Sequence, residues 1–189
     1  MSDTEQALQE KLDRLWERMA ESQKSWPSTS FPPPVPEEQV IAFEQHYGVP
    51  LPEEFRAVLT QVSDGLGCWA PMATWKVSPR LLAQPFRPTE LKSESSGEWD
   101  ENSDEEYEDW LEKSGQRFCG VMEDAESSIT QGTICLRKDE EGGGDFLVVT
   151  GDTSGTIWRL RQAVCYWDDS WYVSVDCFAS IFDYIEEVW

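Results

Sequence analysis

EQHYGVPLPEEF, residues Glu44 to Phe55, is the stretch whose reading decides the fold. Just before it and within it, Val40, Ile41, Phe43 and Tyr47 recur at helical spacing, which predicts a helix over 37–47. Gly48 stops that helix, since glycine alone enters the left-handed region without steric cost. Pro52 suits the first turn of a second helix, and Glu53 and Glu54 complement the positive end of its dipole. Phe55, Val58, Leu59 and Val62 then form a buried stripe that ends at Asp64-Gly65. The stretch reads as a tight helix–turn–helix pair.

Upstream, residues 3–24 read as an amphipathic helix. Ser2 and Glu5 have capping-box spacing, and Leu8, Leu12, Leu15, Trp16 and Met19 make one apolar stripe. The stripe is short for a coiled coil, so this helix is expected to pack on the domain. Trp26 to Pro36, WPSTSFPPPVP, reads as an extended linker, because proline lacks the donor that a helix or central strand needs. A spacer is favoured there over a ligand for a proline-reading module. The expected organisation is an N-terminal helix over 1–26, a proline-rich linker over 27–36 and an α+β domain over 37–189.

Downstream, 66–89 carries Trp69, Trp75, Leu81, Leu82 and scattered prolines, which predicts irregular structure with a short strand. An acidic insertion at about 93–114 follows, with no basic residue from 94 to 112. Like charges so dense resist packing, so its first half is expected to be a loop, while Tyr107, Trp110 and Leu111 would anchor a short helix at its end. From 118 onward the pattern turns to strands: Phe118–Met122, Thr133–Arg137, Phe146–Thr150, Thr156–Arg161 and a piece near Val164–Trp167. Gly142 to Asp145 and Gly151 to Gly155 are expected hairpin connections, and Ser174 to Trp189 a closing helix. The fold class is therefore α+β, a twisted antiparallel sheet with helices packed on one face, plus the N-terminal helix.

Fifteen Lys and Arg against 37 Asp and Glu leave a net charge of −22. That balance disfavours direct contact with nucleic acid or an anionic membrane, since each phosphate contact needs a cation on the protein. It favours a basic protein partner, whose association long-range attraction would speed. The start, MSDTEQALQEK, lacks the features of a signal peptide, and no apolar run approaches the roughly 20 residues that span a bilayer, so a cytoplasmic location is expected. The five cysteines have no C-x-x-C spacing; all but Cys68 sit among apolar residues and read as reduced core cysteines.

Chemistry is sparse. The single histidine, His46, cannot form a His₂ metal set, and no G-x-S-x-G elbow exists. Gly142–Gly144 lacks the Lys-Ser/Thr that a phosphate loop requires. Catalytic residues, metal ligands and cofactors are all expected to be none. The candidate partner-binding residues are instead Asp100, Glu101, Asp104, Glu105, Glu106, Glu108, Asp109 and Trp110, with Trp167, Asp168, Asp169 and Trp171 at a second aromatic and acidic loop tip. The acidic run reads either as an electrostatic lure for a basic surface or as a solvated insertion.

Glu44, Gly48, Leu51, Pro52 and Phe55, followed by a helix and Asp64-Gly65, resemble the opening motif of the SUKH superfamily, which includes the Smi/Knr-type cell-wall regulators. That motif has the form E-x-x-x-G-x-x-L-P-x-x-[FY] and later [ND]-G. Gly144-Asp145-Phe146-Leu147, Gly155-Thr156-Ile157-Trp158 and Phe178-Ala179-Ser180-Ile181-Phe182 follow in the family's order, so the resemblance covers roughly 36–189. It implies a twisted-sheet α+β fold, no catalysis and, in bacteria, chiefly immunity to polymorphic toxins. The expected partner is then a cognate protein toxin, basic and of nuclease type, held and occluded in the cytoplasm. A regulatory scaffold binding several partner proteins is the alternative. The N-terminal helix with its linker and the acidic insertion depart from the family pattern.

Overall fold

The computed structural model describes residues 2–26, 31–67, 69–87, 131–138, 144–164 and 171–188, with the backbone alone at 162–164 and 171–174. The acidic insertion, the expected strand Phe118–Met122, the Gly142-Gly143 pair and the tip Trp167 to Asp169 lie outside the described residues.

Helix α1, Asp3–Ser25, begins with the capping box expected of Ser2 and Glu5: each backbone N–H donates to the other's side chain. Leu12, Leu15 and Met19 are buried, so α1 packs into the core. Trp16 is a correction to the expected stripe, being 45% exposed. It sits at the margin of the apolar arc, and the arc is filled by its smaller neighbours.

Helices α2, Glu37–Tyr47, and α3, Glu53–Gln61, form the expected pair. Gly48 is left-handed at φ 72° and its N–H donates to Glu44 O. Pro52 stands one position earlier than expected, at the cap of α3, and fixes an extended entry into Glu53. Phe55, Val58 and Leu59 are at most 1% exposed, whereas Ile41 of α2 faces out at 39%.

Residues 31–36 are docked along α3. Val35 is buried and its N–H donates to Leu59 O, while Ser63 Oγ donates to Pro32 O and the Asp64 N–H to Pro33 O. Between 66 and 87 the described residues form a 3₁₀ turn, Met72–Thr74, and a short helix α4, Pro79–Leu82, in place of the expected short strand. Pro71 and Pro79 each open one of these turns, where a missing N–H is harmless.

The sheet is an antiparallel meander in the order β1-β2-β3-β4: β1 Thr133–Lys138, β2 Gly144–Val148, β3 Ile157–Val164 and β4 Trp171–Phe178. Ile134, Leu147, Ile157 and Phe178 align across the strands in one row. Ile134, Leu147 and Ile157, with Leu136, meet the buried residues of α1, α2, α3 and helix α5, Ile181–Val188, in one core. The opposite face carries Phe146, Val148, Trp158 and Leu160 packed with Phe86.

Two expectations on this sheet are corrected. Gly144-Asp145 opens β2 and does not serve as a connection, with Asp145 paired to Arg159 across the ladder. Ser174 does not begin a helix; β4 runs on to Phe178 because its backbone pairs continuously with β3, from Val164–Trp171 to Ile157–Phe178. Ser180 starts α5 instead, its Oγ accepting from the Asp183 N–H and donating to the Asp183 carboxylate.

Candidate functional site

Polar groups converge at three places among the described residues, and each is built by a different part of the chain.

The first is the joint between α2 and α3. The Leu51 N–H donates to Glu44 Oε1 at 2.9 Å, and Arg56 donates to Glu44 Oε2 and to Glu37 Oε1. One carboxylate thereby satisfies a turn amide and holds the next helix. The Glu44 hydrogen bond, followed by that of Glu37, raises the Arg56 pKa above its ordinary value. At the far end of α3, Asp64 Oδ1 accepts from the Met72 N–H at 2.8 Å, and burial holds the Asp64 pKa above the usual aspartate range. Gly65, at φ 125°, follows it and precedes Leu66 at φ 49°, a buried residue in the left-handed region. Glu44, Gly48, Leu51, Pro52 and Phe55 serve the geometry of this joint, and Asp64 and Gly65 that of the turn beyond α3.

The second is a buried cluster where α5 crosses the sheet. Arg159 Nε donates to Asp145 Oδ1 at 2.8 Å and the Tyr184 hydroxyl donates to Asp145 Oδ2 at 2.6 Å. All three residues are at most 4% exposed. The guanidinium carbon stands 4.9 Å from the Phe178 ring centroid and 5.3 Å from that of Tyr184. Burial alone lowers the Arg159 pKa, but the bond to Asp145 and its charge outweigh that and hold it above the ordinary value. With both carboxylate oxygens bonded and all three residues buried, the cluster is a structural tie that sequence reading missed. Its one sequence signal, an acid and a base on facing strands, was hidden by the glycine run before Asp145.

The third is the surface of α1. Toward α3 it opens a groove of about 470 Å³ with Leu8 at its floor and Asp3, Glu53 and Glu54 at its rim. Toward α5 a smaller groove of about 120 Å³ has an apolar floor of Leu15, Phe182 and Ile185. Lys11 divides them: its Nζ donates to Glu54 Oε1 and lies 5.3 Å from the Phe182 ring centroid. Apolar floors with charged rims are the make-up of a surface that can hold another macromolecule.

Of the partner-binding residues expected from the sequence, only Trp171 is among the described residues. Asp100 to Trp110 and Trp167 to Asp169 lie outside the described residues, and Trp171 opens β4. His46 lies in the last turn of α2, edge-on to Tyr47. Among the described cysteines, Cys135 is half-buried against the second cluster, where burial pushes its thiol up to about 11, and Cys177 is exposed, which corrects the expectation of a core residue. No group of His, Cys, Asp and Glu among the described residues is arranged to hold a metal ion, and no described helix is long and apolar enough to cross a membrane. Comparison with protein-family models, with curated proteins and with solved structures gives no match.

Proposed function

We propose that this chain is a non-catalytic immunity protein that holds a cognate polymorphic toxin domain, a basic nuclease, and occludes its active site. The observation that carries the reading is the α2–α3 joint. Of the residues on which the SUKH resemblance rests, Glu44, Gly48, Leu51, Pro52 and Phe55 each take a defined part in that joint, as residues of a fold signature would, and Asp64 bonds the turn beyond α3. The net charge of −22 supports a basic partner. Of the two grooves beside α1, the one lined by Asp3, Glu53 and Glu54 stays acidic in balance even with Lys11 paired to Glu54, and so matches such a partner in sign.

The regulatory-scaffold alternative is weakened by one observation. Its proline-rich docking segment is committed to α3 from Pro32 to Val35, with its backbone bonded and Val35 buried.

The test is co-expression with the product of the neighbouring gene, followed by purification and a nuclease assay. A stable complex with the nuclease silenced is expected, with association slowing as salt is raised past the range where the Debye length falls below about 10 Å. A toxin that stays active in excess of this protein overturns the immunity reading. A complex whose association ignores salt retains immunity but removes the electrostatic account. Neutralising the acids of 100–109 in one variant and Asp3, Glu53 and Glu54 in another assigns the contact surface.

A further inference from the structure

We draw no further inference here: the strongest candidate, the groove between α1 and α5 floored by Leu15, Phe182 and Ile185, is rimmed by Arg14 and Arg18 but also by Glu186, its Lys11 is already bound to Glu54, and nothing in the structure shows what covers it.

Discussion

The hydroxyl of Tyr184 in α5 donates to Asp145 Oδ2 in β2, so the C-terminal helix is fastened to the sheet by a bond inside the core. The other carboxylate oxygen accepts from Arg159, and the tie therefore joins two strands and a helix at one side chain.

Tyr184→Phe removes a donor from a buried carboxylate and keeps the ring. It is expected to cost about 1–3 kcal/mol, read as a lower urea midpoint with the slope unchanged. Asp145→Ala strands the Arg159 guanidinium in the core and is expected to cost more, about 3–5 kcal/mol. Equal costs for the two variants would contradict the arrangement.

Glu44 separates charge from hydrogen bonding. Glu44→Gln retains an oxygen for the Leu51 N–H and weakens only the partly exposed pairing with Arg56, a loss of up to about 1 kcal/mol. Glu44→Ala also orphans the turn amide and is expected to cost about 1–3 kcal/mol. If the alanine variant is no worse than the glutamine variant, the turn bond contributes nothing to stability.

Two glycines with positive φ are expected to differ sharply. At Gly48 an added Cβ meets nothing within 4 Å, so Gly48→Ala carries only the left-handed penalty of about 1–2 kcal/mol, and Gly48→Asn less. At Gly65 the Cβ falls 2.9 Å from the Trp69 carbonyl oxygen, adding a backbone clash to a φ of 125°. Thermal melts should rank Gly65→Ala well below Gly48→Ala; the reverse order would refute the loop geometry.

Burial raises the Asp64 pKa, so the folded state binds a proton that the unfolded chain has already released. The sign follows from linkage: this residue's contribution to stability falls as pH rises from the ordinary aspartate value through the raised one. Asp64→Asn keeps an oxygen for the Met72 N–H and carries no charge. It is expected to match the parent in acid and to be slightly more stable at neutral pH, with the difference opening across that window. A constant difference at every pH would rule out the buried charge as its cause.

What the sequence by itself determined is local. The Ser2–Glu5 box, the stop at Gly48, the entry at Pro52 and the stripe of Phe55, Val58 and Leu59 each depend on residues within a turn or two of one another, and all are present in the structure. Strands β1 to β3 were legible in outline for the same reason, through β-rich runs broken by turn residues. Only the tertiary structure decided the rest. Phe178, Ile181, Phe182 and Ile185 fit a helical period that reads back to Ser174, and pairing with β3 is what makes Trp171–Phe178 a strand. Asp145 reads as part of a glycine turn until its partners, 14 and 39 residues away, arrive to bury it. Caps and turns are chosen by near neighbours in the chain. Burial of a charge, and the choice between strand and helix for an apolar run, are settled by groups that only folding brings within reach.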